Sequence, residues 1–149
     1  MSILSIATSG LSAASLRVNV AASNIANVST TGPLPASGGS SASAGASSPG
    51  IGPTFPAAYV PLRVDQVSQS SGSTPGGTIA TVSAVSPSFT AQSAPGAPFA
   101  NQDGLVAAPN VDLAGEFVEL ATAKYSFIAN AKVIQAYAET EDTLLDIKA

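Results

Sequence analysis

VDLAGEFVELATAKYSFIANAKVIQAYAETEDTLLDIK, residues 111–148, is the stretch whose reading decides the fold. Residues seven apart run Leu113, Leu120, Phe127 and Ile134, and the positions offset by four run Phe117, Lys124, Ala131, Ala138 and Leu145. This a/d pattern over about four heptads predicts one long amphipathic helix that needs a helical partner. Asp112 stands where an N-cap is wanted, and Glu116 and Glu119 fall in the early turns, where the helix dipole favours negative charge. No Gly or Pro follows Gly115, and Ala, Leu, Glu and Lys dominate the interior. At 1.5 Å per residue the helix is about 55 Å long. A chain of 149 residues covers such a stripe only if a comparably long element lies beside it.

That element is predicted at the other end. Leu4, Leu11, Val18 and Ile25 fall seven apart, with Ala7, Ala14, Ala21 and Val28 at the offset positions. One edge is bulky and the other is alanine, which permits close helix approach, and Phe117 and Phe127 are expected to pack against it. Gly10 costs this helix about 1 kcal/mol relative to Ala. Thr30, Thr31 and Gly32 weaken it, and Pro33 and Pro35 forbid its continuation. Pairing the two ends as a coiled coil leaves about a third of the longer helix uncovered, and that excess is the expected intermolecular surface.

The expected fold class is therefore mainly α with a small β subdomain, and four regions follow. Residues 1–32 form the N-terminal helix. Residues 33–56, almost all Ser, Gly, Ala and Pro, form a linker that cannot repay its ordering entropy by apolar burial. Residues 57–110 form a small β-rich region, and residues 111–149 the C-terminal helix. Within the third region, alternation at Val60, Leu62 and Val64 predicts a strand over 59–67, although Pro61 confines it to an edge. Residues 78–85 supply a second strand, making a hairpin. A short extended piece at 104–108 ends at Pro109. Pro87, Pro95, Gly96 and Pro98 mark an irregular loop between them.

Composition excludes several classes of function. There is no Cys and no His, which removes thiolate chemistry, disulfides and the commonest neutral-pH acid–base group. Only five basic residues oppose nine acids, for a net charge of −4, and no basic cluster offers a nucleic-acid or anionic-lipid footprint. Eight of the nine acids lie from Asp103 onward. The first residues lack the basic stretch of a cleaved secretory signal, and residues 3–26 contain no run of 18 apolar residues, so a membrane span is not expected. Thr74-Pro75-Gly76-Gly77 reads as a turn, since no Gly-Lys-Ser/Thr follows. No catalytic residues, cofactor or metal site are expected.

Several strings exceed what periodicity explains. Ala22-Ser23-Asn24-Ile25-Ala26-Asn27 with Thr30-Thr31-Gly32 resembles the N-terminal signature of the bacterial flagellar rod and hook proteins. Ala129-Asn130-Ala131-Lys132-Val133-Ile134-Gln135 resembles their C-terminal signature, and residues 104–112 are similar to the segment entering the last helix of a proximal-rod member. Leu105 stands where the family often has Tyr, and the Ser/Gly/Pro linker replaces a basic, aromatic segment. The resemblance implies a structural subunit of the basal-body rod, exported by the flagellar type III system without a cleaved signal and assembled in the periplasm. It also implies partners: further copies, other proximal-rod proteins, the adaptor between rod and membrane ring, and the export gate. Two rival readings are a secreted coiled-coil subunit of another type III apparatus and a surface-binding module using the middle hairpin.

The expected assembly residues are Leu4, Leu11, Val18, Asn24, Ile25 and Asn27 on the first helix, with Leu113, Phe117, Leu120, Phe127, Asn130 and Ile134 on the last. For Asn24 and Asn27 two readings stand: hydrogen bonds across subunits that fix register, or local capping. Lys124 either sets register or reaches for solvent. Glu139, Glu141, Asp142 and Asp146 either face a basic partner or form a solvated acidic face.

Overall fold

The computed structural model describes residues 3–35, 55–70 and 76–148. Its elements are α1 (Ile3–Asn27), β1 (Leu62–Ser68), β2 (Thr78–Ala84), β3 (Phe89–Ser93), β4 (Leu105–Pro109) and α2 (Leu113–Lys148). Most of the expected linker, residues 36–54, lies outside the described residues, as do Thr74 and Pro75 of the expected turn. The chain divides into two compact units. One takes Met1–Ala26, Leu62–Ala84 and Val111–Ala149; the other takes Asn27–Pro61 and Val85–Asn110. The stretch expected as one β-rich region, 57–110, thus contributes to both.

In the first unit the terminal helices run antiparallel. Gly10 lies against Asn130, Arg17 pairs with Glu119 and Asn24 with Glu116, so contacts descend one helix as they climb the other. The start of α2 is capped as expected: Ala114 N–H donates to the Asp112 carboxylate at 3.1 Å. The β1–β2 hairpin lies along α1. Leu62 meets Asn24 near one end of the helix, and Thr78 N–H donates to Ser9 Oγ at 3.1 Å nearer the other. The strands pair from Leu62↔Ala84 to Ser68↔Thr78, close to the expected hairpin. α1 therefore has neighbours on two sides, and Ala7, Ala13, Ala14, Val20 and Ala21 are buried. By length and hydropathy α1 also passes as a membrane-crossing helix. Here, however, its Arg17 and Asn24 are both engaged with α2.

The alanine edge is where the sequence places it, but the expected face of α2 is not. Ala123 is fully buried, with Glu116, Glu119, Ser126, Asn130 and Ile134 part-buried on the same side. Phe117 and Phe127, expected against the alanines, are 56% and 44% exposed. The closest approach is set by Gly10 against Asn130 and by the buried Ala123, not by the heptad column. The column that begins exposed at Leu113 is part-buried at Leu120 and Ile134 but exposed again at Phe127. Small side chains set the closest approach, and the large ones flank it.

The second unit is built on β3 and β4, antiparallel from Phe89↔Pro109 to Ser93↔Leu105. β3 falls in the loop expected between prolines. Gly104 closes its turn at φ +72°, a conformation suited to glycine. On the other edge of β4, Gly32 and Ala107 exchange two backbone hydrogen bonds of 3.0 and 2.9 Å. A Cβ on Gly32 would lie 2.3 Å from the Ala58 nitrogen, so the backbone itself demands glycine at the end of the N-terminal signature. Val106, Ala107 and Ala108 are buried, and Phe55 packs against Phe99 with ring centroids 5.6 Å apart and planes tilted by 55°.

Candidate assembly surface

Polar residues fix the register of the helix pair. The Arg17 guanidinium forms a two-pronged bridge to Glu119, with Nε on one oxygen and Nη2 on the other at 2.8 Å. This contact holds the Glu119 carboxyl below the usual carboxylate range and raises Arg17. One turn earlier on α2, Glu116 is pushed up, chiefly by burial, and the Asn24 hydrogen bond opposes that shift.

Asn24 is fully buried. Its amide donates to Leu62 C=O and to Glu116, both at 2.7 Å, while its oxygen accepts from Leu62 N–H at 3.1 Å. One side chain ties α1, α2 and the hairpin together. Within the subunit these bonds engage both ends of the Asn24 amide. Asn130 is also spent inside the unit: it donates to Ser126 C=O at 2.8 Å and faces Gly10, where a Cβ would come within 2.6 Å of its oxygen.

The other expected residues lie outward or at the edge. Leu4, Leu113, Phe117 and Phe127 are exposed, while Leu11, Val18, Ile25, Asn27, Leu120 and Ile134 are half-buried. The structure brings Leu11 and Phe127 together, lining with Leu16 a shallow groove of about 450 Å³. A smaller polar cleft of about 290 Å³ lies between α1, the hairpin and α2, over Gly10, Arg17, Gln66 and Asn130. Among the described residues no three carboxylates gather as a metal site.

α2 outruns its partner. With Gly10 opposite Asn130 and Asn24 opposite Glu116, Ile3 falls opposite Tyr137, and residues 138–147 are exposed throughout. This overhang carries Leu144, Leu145 and Ile147, which are 58%, 67% and 78% exposed. Val118, Tyr125, Ile128 and Val133 add to the uncovered apolar surface. Heptad counting passed over these last four because they lie on the side of the helix away from the assumed seam. Their spacings of three to seven residues were the available signal.

Two long antiparallel terminal helices that leave more apolar surface exposed than they cover are the architecture of an assembly subunit. A family model described as "Flagella basal body rod protein" matches residues 4–33, and one described as "Flagellar basal body rod FlgEFG protein C-terminal" matches residues 102–147. The flagellar basal-body rod protein FlgC of Salmonella typhimurium is 36% identical over 136 residues, covering 90% of this chain and 87% of the relative. FlgC of Escherichia coli O157:H7 matches to the same extent. The chain belongs to the flagellar basal-body rod family and is of the FlgC type. It is a structural subunit of that rod, assembling with other rod proteins.

Proposed function

We propose that the subunit builds the proximal part of the rod through its terminal helices. The uncovered face and overhang of α2 would pack against neighbouring subunits to make a stiff shaft that transmits torque. The observation that carries this reading is the apolar surface α2 leaves exposed after pairing with α1, from Phe117 to Ile147. At about 25 cal/mol per Å², burying it between subunits is a substantial driving force. The reading includes export through the flagellar type III channel and assembly across the periplasm, with the rod–ring adaptor and the export gate as neighbours. Shared ancestry with FlgC supports it. Few charges and no disulfides suit passage as an unfolded chain.

Phe127→Asp tests it. Phe127 is 44% exposed beside Leu11 and Leu16, so the isolated subunit tolerates the change, whereas a charge buried in an assembled groove does not. The expected outcome is loss of rods and motility with secretion retained; normal rods contradict the reading.

A further inference from the structure

The outward face of α2 changes sign along its length. Lys124 and Lys132 are exposed, Lys124 at the flank of the contact with α1 and Lys132 on the side away from it, with the exposed Tyr125 and Ile128 beside them. Farther on, the same side carries Glu139 and Asp146, also exposed. Among the described residues the ion pairs are Arg17–Glu119 and Arg63–Asp65, and neither uses these four. Glu139 accepts a hydrogen bond from Gln135 one turn before it, which leaves its charge in place. The two lysines are eight residues apart and the two acids seven, about 12 and 10 Å along a helix.

The geometry points to a second copy of this chain as the occupant of this face. Segment 139–146 of one copy lies beside segment 124–132 of the next, the helices parallel and displaced by about 15 residues, roughly 22 Å. Glu139 then meets Lys124 and Asp146 meets Lys132, while Tyr125 and Ile128 lose exposed area. An antiparallel pairing also matches the charges, joining Lys124 to Asp146 and Lys132 to Glu139. That arrangement closes on itself about residue 135 and leaves no charge to recruit a third copy. The parallel stagger is heterologous and leaves a free acidic end and a free basic segment after every addition, as an open assembly requires. The inference rests on the rod reading above and specifies the polarity of the contact between copies.

The chain has no native cysteine, so a disulfide pair tests the register directly. Rods isolated from cells carrying Lys132→Cys/Asp146→Cys and then oxidised should yield covalent multimers of this chain larger than dimers. Rods that contain the variant but release only monomers overturn the stagger and leave the rod reading intact. Dimers alone from Lys132→Cys/Glu139→Cys, with none larger from Lys132→Cys/Asp146→Cys, assign the closed pair and overturn the stagger. Wild-type chain missing from isolated rods removes the rod reading and the inference together. If the cysteine variant does not incorporate, charge exchange decides. Lys132→Glu should reduce incorporation about tenfold, and Lys132→Glu/Asp146→Lys should restore it. In the closed pair the exchange sets like charges opposite each other at both contacts, so failure to restore overturns the stagger.

Discussion

The two lengths of α2 differ in what covers them: the first lies beside α1 and the second is exposed. From Glu116 to Tyr137 the helix lies beside α1, and its covered side is mostly small or polar (Glu116, Glu119, Ala123, Ser126 and Asn130), with Leu120 and Ile134 part-buried among them. Beyond Tyr137 its side chains are exposed through residue 147, Leu144, Leu145 and Ile147 among them. In the first length the large side chains Phe117, Val118, Tyr125, Phe127, Ile128 and Val133 are exposed as well, so most of the bulky apolar surface of α2 lies off its contact with α1. Ion pairing and alanine packing set the register within the subunit. On the proposed reading, the exposed bulky groups serve contacts between subunits.

The most severe way to break this contrast is to remove the apolar overhang. Leu144→Asp/Leu145→Asp should abolish rod formation while changing the unfolding free energy of the isolated subunit, measured in urea, by less than about 0.5 kcal/mol, since neither side chain is covered there. A matching loss of subunit stability would show that the two lengths are not independent. Next comes the clamp inside the covered length. Asn24→Ala strips Leu62 of both backbone partners and leaves Glu116 without its donor, an expected loss of about 2–3 kcal/mol by chemical denaturation.

The smallest effect belongs to the bridge. The Glu119 side chain is 40% exposed, so Arg17→Met should cost only about 0.5–1 kcal/mol near neutrality. Its pH dependence has a definite sign. Glu119 is lowered in the fold, so the bridge contributes fully above the ordinary carboxylate range and is lost as pH falls through the lowered value. Wild type and variant should converge on acidification. Glu116 runs the other way: it is raised by burial, its ionised form carries a penalty at neutral pH, and proton uptake through the raised value relieves it. A denaturation series from pH 7 to about pH 3 separates the two, because only the Glu119 contribution depends on Arg17.

Both helices and the first hairpin were legible because periodicity and turn residues mark them locally: Asp112 as a cap, the prolines after Gly32, the alternation around Leu62. The alanine edge at Ala7, Ala14 and Ala21 was legible for the same reason. The phase of α2 was not, because heptad counting follows large apolar residues, whereas Gly10 against Asn130 and the buried Ala123 set the approach. β3 was missed because Phe-Thr-Ala-Gln-Ser, between prolines, has little alternation of its own and is specified by pairing with β4. The role of Asn24 depends on Leu62, 38 residues away, and on Glu116, 92 residues away, a convergence no local pattern carries.

Amide hydrogen exchange over residues 138–148, in the isolated subunit and in purified rods, tests the central claim most directly. An unaccompanied helix end opens readily, so these amides should exchange fast in the subunit. They should slow by about a hundredfold or more in the rod, where neighbours cover Leu144, Leu145 and Ile147. Exchange in the rod as fast as in the free subunit would contradict the claim that this overhang is an assembly surface.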